Sequence, residues 1–329
     1  FRKLAEQQLI VTNFRKSLVE NPVDYNPENI GGVNTLADEY VNQYYVNEDK
    51  IIFTKRYKSD LEENPYLEEN VFVTMKYDSL WSLPELLFDN LNDIGAANIS
   101  ADGDEIYFSA SGWENGSGSC DIYYVIFKNG RWSNPINLKS VNTSGWESQP
   151  CVSHDGKELY FVRRNKKTGT SDIYVSKRSD EGKWQSADCL GPNVNTEGNE
   201  MAPFIHYDGR TLYFSSDTRL GMGGYDLFMS QRDDNGEWKE SINLGYPLNT
   251  YGDEINLVVL NDASKAYMSA LRKEGNGGYD IYEFELDDRF RPENIEIEKK
   301  SDEDYYLYER YPIIETVICK IINDSKERC

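Results

Sequence analysis

Short apolar runs alternate with turn signals along the whole chain. In the clearest copy, residues 202 to 206 form an apolar run of the kind that is buried on both faces. Asp208 and Gly209 then give a two-residue hairpin signal, and 211 to 215 make a second run. A glycine-bearing loop at 221 to 224 turns the chain, and Asp226 opens a third run. Residues 233 to 237 are a second hairpin turn, and Trp238 begins an outer strand that ends at 242 to 245. The pattern predicts four antiparallel strands in sequence order.

That unit repeats. Phe53, Phe108, Phe161, Phe214 and Met268 mark the second strands, spaced 55, 53, 53 and 54 residues apart. Short strands repeated at this period, with no helical pattern between them, predict an all-β, five-bladed β-propeller of four-stranded antiparallel blades. A sixth copy is not found in the text.

Fixed marks sit in the same place in each copy. Asp121, Asp172, Asp226 and Asp280 begin third strands, with Asn70 at the first copy's equivalent. Trp81, Trp132, Trp184 and Trp238 follow 11 or 12 residues later. Glu39, Glu147, Glu200 and Glu254 each stand 14 residues before their copy's Phe or Met, and only Ile94 breaks the series. One carboxylate per copy beside turns rich in unpaired N–H groups is read as a structural tie, because a catalytic group breaks repetition and a structural one obeys it. The tryptophans are read as packing between blades.

A ring of this kind must join its first and last blades or leave open sheet edges. The fifth copy lacks an outer strand. The Pro-Glu-Asn-Ile text at 27 to 30, which stands directly before the first copy, is expected to supply it in preference to the matching text at 292 to 295. Residues 1 to 20 carry a helical apolar stripe, Leu4, Val11, Phe14 and Leu18, stopped by Asn21 and Pro22. They are expected to form an α-helix packed on the ring or ending a helical array. The propeller is assigned to 21–298, an acidic linker to 299–314 and the start of a further β module to 315–329. The chain, lacking an initial Met, is expected to begin inside a longer precursor.

The chain has 329 residues, 57 acidic against 35 basic, for a formal charge of −22, which argues against nucleic acid and anionic membrane surfaces as partners. The five cysteines show neither zinc spacing nor an even disulfide set. His154 and His206 occupy nearly equivalent places, and no hydrolase elbow, metalloprotease helix or phosphate loop occurs. No cofactor is expected. The oxygen clusters at 102 to 105 and 233 to 237 offer ligands of the kind calcium takes, but neither fits the twelve-residue loop, and turns are the favoured reading.

The stretches at 21 to 31, 146 to 150, 221 to 228 and 243 to 254 resemble the propeller of Bacteroidetes OmpA-family envelope proteins. These combine a tetratricopeptide array, a WD-repeat-like (TolB-type) propeller, a regulatory-like module and a peptidoglycan-binding domain. A type IX secretion component has this layout. The resemblance implies a periplasmic, outer-membrane-associated protein. Its partners would be envelope proteins, such as an outer-membrane β-barrel or a secretion subunit, with peptidoglycan bound only through a domain that these residues do not contain. It also implies that 1–20 ends the array.

The expectation is therefore a non-enzymatic scaffold that binds proteins through loop tips, with Trp113, Met222, Tyr225, Asn276 and Tyr279 as candidate contacts. The rival is a glycan-binding or glycan-cleaving propeller. It requires paired carboxylates at the ring's centre, out of step with the repeat.

Overall fold

Each period of the sequence folds into one antiparallel sheet, and the five sheets stand radially in a ring. The structure is a computed structural model and describes residues 2–45, 50–58, 67–77 and 80–292. Residues 59–66 of the first copy, the alternative closing text from 293 onward, the linker, the terminal β segment, Cys319 and Cys329 lie outside the described residues.

Blade 4 shows the plan: Glu200–Ile205, Thr211–Ser216, Asp226–Gln231 and Ile242–Asn243, paired in that order. Inner strands run down the axis, and each touches the inner strands of both neighbours, blade 5 against blade 1 included. The ring is closed by Glu28–Asn29, which pairs with the third strand of blade 5, Asp280–Glu285. The N-terminal text therefore supplies the missing outer strand, as its position before the first copy predicts.

The apolar side chains group into five clusters among the described residues, one at each interface between blades. Phe53, Phe108, Phe161, Phe214 and Met268 are fully buried there. Burying each such side chain stabilises the ring by about 1.5–3 kcal/mol, which explains why the repeat holds most firmly at these positions.

The outer strands are only two residues long, and an amide side chain completes what they leave unpaired. Asn142 accepts the Ile122 N–H at 2.9 Å and donates to the Ile122 carbonyl at 2.8 Å. Asn34, Asn195 and Asn249 treat Ile281, Ile173 and Leu227 in the same way. Each of these side chains stands in for one residue of backbone.

A second repeated device joins neighbouring blades near the rim. Arg178 reaches across to Glu105 at 2.7 Å and to the Tyr107 hydroxyl at 2.8 Å, while its guanidinium lies 4.5 Å from the Trp184 ring centre. Arg232, Glu158, Tyr160 and Trp238 repeat it, as do Lys76, Glu283, Tyr267 and Trp81. Between blades 1 and 2 the device is missing: Ile52 stands where the tyrosine would, and the buried indole N–H of Trp132 has no partner.

The helix Arg2–Glu20 buries no residue completely. Val11, Phe14 and Leu18 are half-buried and Leu4 is exposed. Arg15 donates to the Gly221 carbonyl of blade 4 at 3.0 Å.

Candidate functional site

At the axis, all five inner strands bulge. Between Ser148 and Cys151, and at the equivalent points of blades 2, 4 and 5, two residues oppose one. The first of each pair, Ala96, Gln149, Ala202 or Asn256, has a φ between 51° and 56°, in the left-handed region. Blade 1 has Val41 there, a β-branched residue that pairs regularly with Phe53, and its extra residue is Asn42. Side chains bond around this ring, Gln149 accepting from Ala202 N at 2.8 Å and Asn256 donating to the Val41 carbonyl at 3.1 Å. Below it the axial channel narrows to a void of about 30 Å³.

Above the bulges, on the face where inner strands begin, the axis widens into a funnel of about 750 Å³. Its wall carries four aromatic rings, Tyr40, Trp146, Tyr225 and Tyr279, the amides of Asn42, Gln149 and Asn256, and three charged side chains, Arg56, Glu69 and Asp93.

Several of these are held firmly. Asp253 accepts the Tyr225 N–H at 2.8 Å and the Tyr279 hydroxyl at 2.9 Å. Asp38 accepts the Tyr279 N–H at 3.1 Å and binds Arg56 through Nε at 2.9 Å and Nη2 at 2.6 Å. The Tyr40 and Tyr279 rings meet at 5.1 Å. Burial pushes the Tyr225 hydroxyl up to about 12, with Asp217 and Asp253 adding to the rise.

Glu69 and Asp93 differ from this bonded set. No hydrogen bond joins either carboxylate to another described side chain or N–H. Glu69 is half-buried, and burial holds its proton affinity above the usual carboxylate range. Arg56 opposes that effect, and Asp93 and Asp38 reinforce it. Asp93 is exposed at the rim, at a φ of 55°.

The residues that the repeat singles out sit elsewhere. Glu39, Glu147, Glu200 and Glu254 are completely buried, each accepting from a threonine four residues earlier. In blade 3 the Thr143 hydroxyl donates at 2.6 Å and its N–H at 3.0 Å, and Arg163 pairs with Glu147 at 2.9 Å. None of them lines the funnel. Burial pushes Glu254 up to about 7 against its bonds from Thr250. Where Ile94 replaces the glutamate, Trp113 packs in the same apolar cluster, against Phe108 and Tyr123, with its ring 4.7 Å from that of Tyr123.

Asp121, Asp226 and Asp280 accept N–H groups of the loops before them, from Ser117 and Gly118, from Met222 and Gly223, and from Asn276. Asp172 has no such cradle and is half-buried. Trp81, Trp184 and Trp238 stand in the rim devices, and Trp132 packs on Phe127. Of the five candidate contacts, Tyr225 and Tyr279 meet in the funnel. Trp113 is a packing wedge, and Met222 and Asn276 serve through their N–H groups as loop anchors. The oxygen clusters are turns bonded to themselves, Asp102 accepting from Ser100 and Asp104, and Asp233 from Asn235 and Glu237.

The sequence reading missed Tyr40, Arg56, Glu69, Asp93, Trp146, Gln149 and Asn256. One signal was available for Glu69: its equivalents are Cys120, Ser171, Tyr225 and Tyr279, so a carboxylate there is out of step with the other copies.

No family model and no curated protein matches this sequence. Among solved structures the chain is similar to an α-L-arabinofuranosidase from Lactobacillus brevis, at 14% identity over 80% of this chain and 95% of that one, with a TM-score of 0.52. A β-1,2-mannobiose phosphorylase from Listeria innocua matches at 11% identity over 80% and 97%, with a TM-score of 0.50. A TolB protein from Agrobacterium tumefaciens matches at 17% identity over 65% and 69%, with a TM-score of 0.40. At these identities the likeness is one of fold. It nonetheless overturns the expectation that the chain is no enzyme: the fold is shared with glycan-processing enzymes. The reactive constellation that the sequence could not assemble has a candidate in Glu69 and Asp93.

Proposed function

We propose that this propeller receives a glycan in its axial funnel. The observation that carries the reading is the wall of the funnel itself, with four rings, three amides and unpaired carboxylates around about 750 Å³ that narrows at its base. Sugars present C–H faces that stack on aromatic rings and hydroxyls that need planar donors and acceptors, and a concave site with a few convergent polar groups suits them. The shared fold of the arabinofuranosidase and the mannobiose phosphorylase supports the same class of ligand. The resemblance to envelope propellers supports a place in the periplasm beside the outer membrane, where the available polymers are those of the envelope; a role alongside secretion machinery is the finer form of this proposal.

Titration of arabino-, manno- and cell-wall oligosaccharides by calorimetry tests it. At least one series should bind, and Tyr225→Ala or Tyr279→Ala should weaken binding about tenfold, the loss of one stacking ring. Failure of every series at millimolar sugar, or binding indifferent to both tyrosines, would sink the reading.

A further inference from the structure

We infer that the funnel is a hydrolytic site for a glycosidic bond, with Glu69 as the proton donor and Asp93 as the base that activates water. The inference rests on the glycan reading above.

Three observations carry it. First, Glu69 has no part in the blade's own architecture. The other four blades place Cys, Ser or Tyr at its register position, the glutamate bonds to no other described residue, and it faces a cavity. Second, the two carboxylates share that cavity in unlike surroundings. Glu69 is half-buried on the third strand of blade 1, against the inner strand of blade 2, close enough to Gly95 that a Cβ there would lie 3.1 Å from its Oε2. Asp93 is exposed at the mouth. The half-buried carboxyl, raised by its surroundings, suits the acid, and the exposed one stands where water enters, as a base requires. Third, the base of the funnel offers an unanswered acceptor. Asn256 is 9% exposed and lines the cavity; its amide nitrogen donates to Val41, and its carbonyl oxygen has no partner. An acceptor that opens onto a cavity and that no described group answers fits a ligand hydroxyl.

The charged and titratable groups that face Glu69 are Arg56 on the second strand of blade 1, Asp38 on its inner strand, Asp93 before blade 2 and Cys120 on the third strand of blade 2. Arg56 is already committed to Asp38 through two hydrogen bonds, so this cation, the one that acts on Glu69 among the described residues, is partly neutralised. Burial therefore outweighs Arg56 and holds the Glu69 carboxyl above the usual carboxylate range.

In the reaction, the Glu69 carboxyl gives its proton to the glycosidic oxygen as the bond from that oxygen to the anomeric carbon breaks. Asp93 takes a proton from water as the water oxygen bonds to the anomeric carbon from the opposite face. The products are two free sugars of inverted anomeric configuration, and one water is consumed. Proton exchange with solvent restores both carboxyl groups.

The test uses the full chain and the calorimetric oligosaccharide panel, now with reducing-end labels, reading binding and products side by side. The expected result is binding followed by cleavage, with one ¹⁸O from labelled water incorporated at the new reducing end and inversion seen by NMR. Glu69→Gln and Asp93→Asn should each still bind the glycan while cleavage falls a hundredfold or more. Cleavage by the native chain should decline as pH rises through the Glu69 range. Binding without products overturns the inference and leaves the glycan reading standing. Cleavage that survives Glu69→Gln, or retention of configuration, also overturns it. No binding at all overturns both.

Discussion

Blade 4 and blade 1 are built from the same text, and they use it differently. In blade 4 every repeated position is occupied by its expected residue: Glu200 bonded to Thr196, Asp226 cradled by its loop, Trp238 under Arg232, and Tyr213 donating to the Phe290 carbonyl at 2.7 Å. Blade 1 departs at Val41, Ile52 and Glu69, and Ile94 follows just after it. Side chains that obey the period hold the ring together, while Glu69, which breaks it, lines the axial funnel. In a repeat protein, deviation is thus a better pointer to a site than recurrence.

That contrast is open to direct challenge. The largest effect is expected at a periodic position: Glu147→Ala leaves Arg163 without its buried partner and should cost about 3–5 kcal/mol in denaturant unfolding. Glu69→Ala, at an aperiodic position with no partner, should change stability by no more than about 0.5 kcal/mol. Equal losses at the two glutamates would erase the distinction. Next, Tyr107→Phe removes the hydroxyl shared by Arg178 and Trp184 and should cost about 1–3 kcal/mol by leaving the Trp184 N–H unanswered, while Arg178 keeps Glu105.

A pH series sharpens the comparison further. Glu283 lies in a rim device; burial acts to raise it, but bonds from Lys265, Tyr267 and Lys76 bring it down to about 2. Its stabilisation is therefore present above the ordinary glutamate range, near pH 4.5, and is lost as pH falls from there towards 2. Glu254, pushed up to about 7, has the opposite sign: the folded state holds a proton that the unfolded chain releases, so its contribution declines as pH rises from 4.5 to 7. Unfolding midpoints of Glu283→Gln and Glu254→Gln across pH 2 to 8 should separate these slopes. The smallest effect is expected at the axis, where Ala202→Gly relieves a left-handed alanine and should stabilise by under about 1 kcal/mol.

The ring was legible because its information is local. Apolar runs, Asp-Gly turns and the spacing of Phe and Trp each depend on a few neighbours, and together they fix the count, strand order and closing segment. The amide bridges of Asn34, Asn142, Asn195 and Asn249 were written in the same text, yet their partners stand 20 or more residues away. The rim devices join residues more than 70 apart, such as Arg178 and Glu105, and no single-blade reading brings them together. The funnel was hardest to see, because it draws on all five blades at once and owes its shape to left-handed residues that sequence marks only weakly. The stripe of the helix was read correctly as apolar, but it meets the ring along one half-buried edge.

The latch formed by Glu28–Asn29 on Asp280–Glu285 has a consequence for how the molecule is made. The first strand of the ring to leave the ribosome is the one that the final blade requires, so it must wait, unpaired, while every other blade is synthesised. Until Glu285 emerges, the nascent chain is an open arc with a raw edge at each end. Whatever attends the chain during that interval must shield both edges, and a nick on either side of the latch would return the finished disc to that unguarded form.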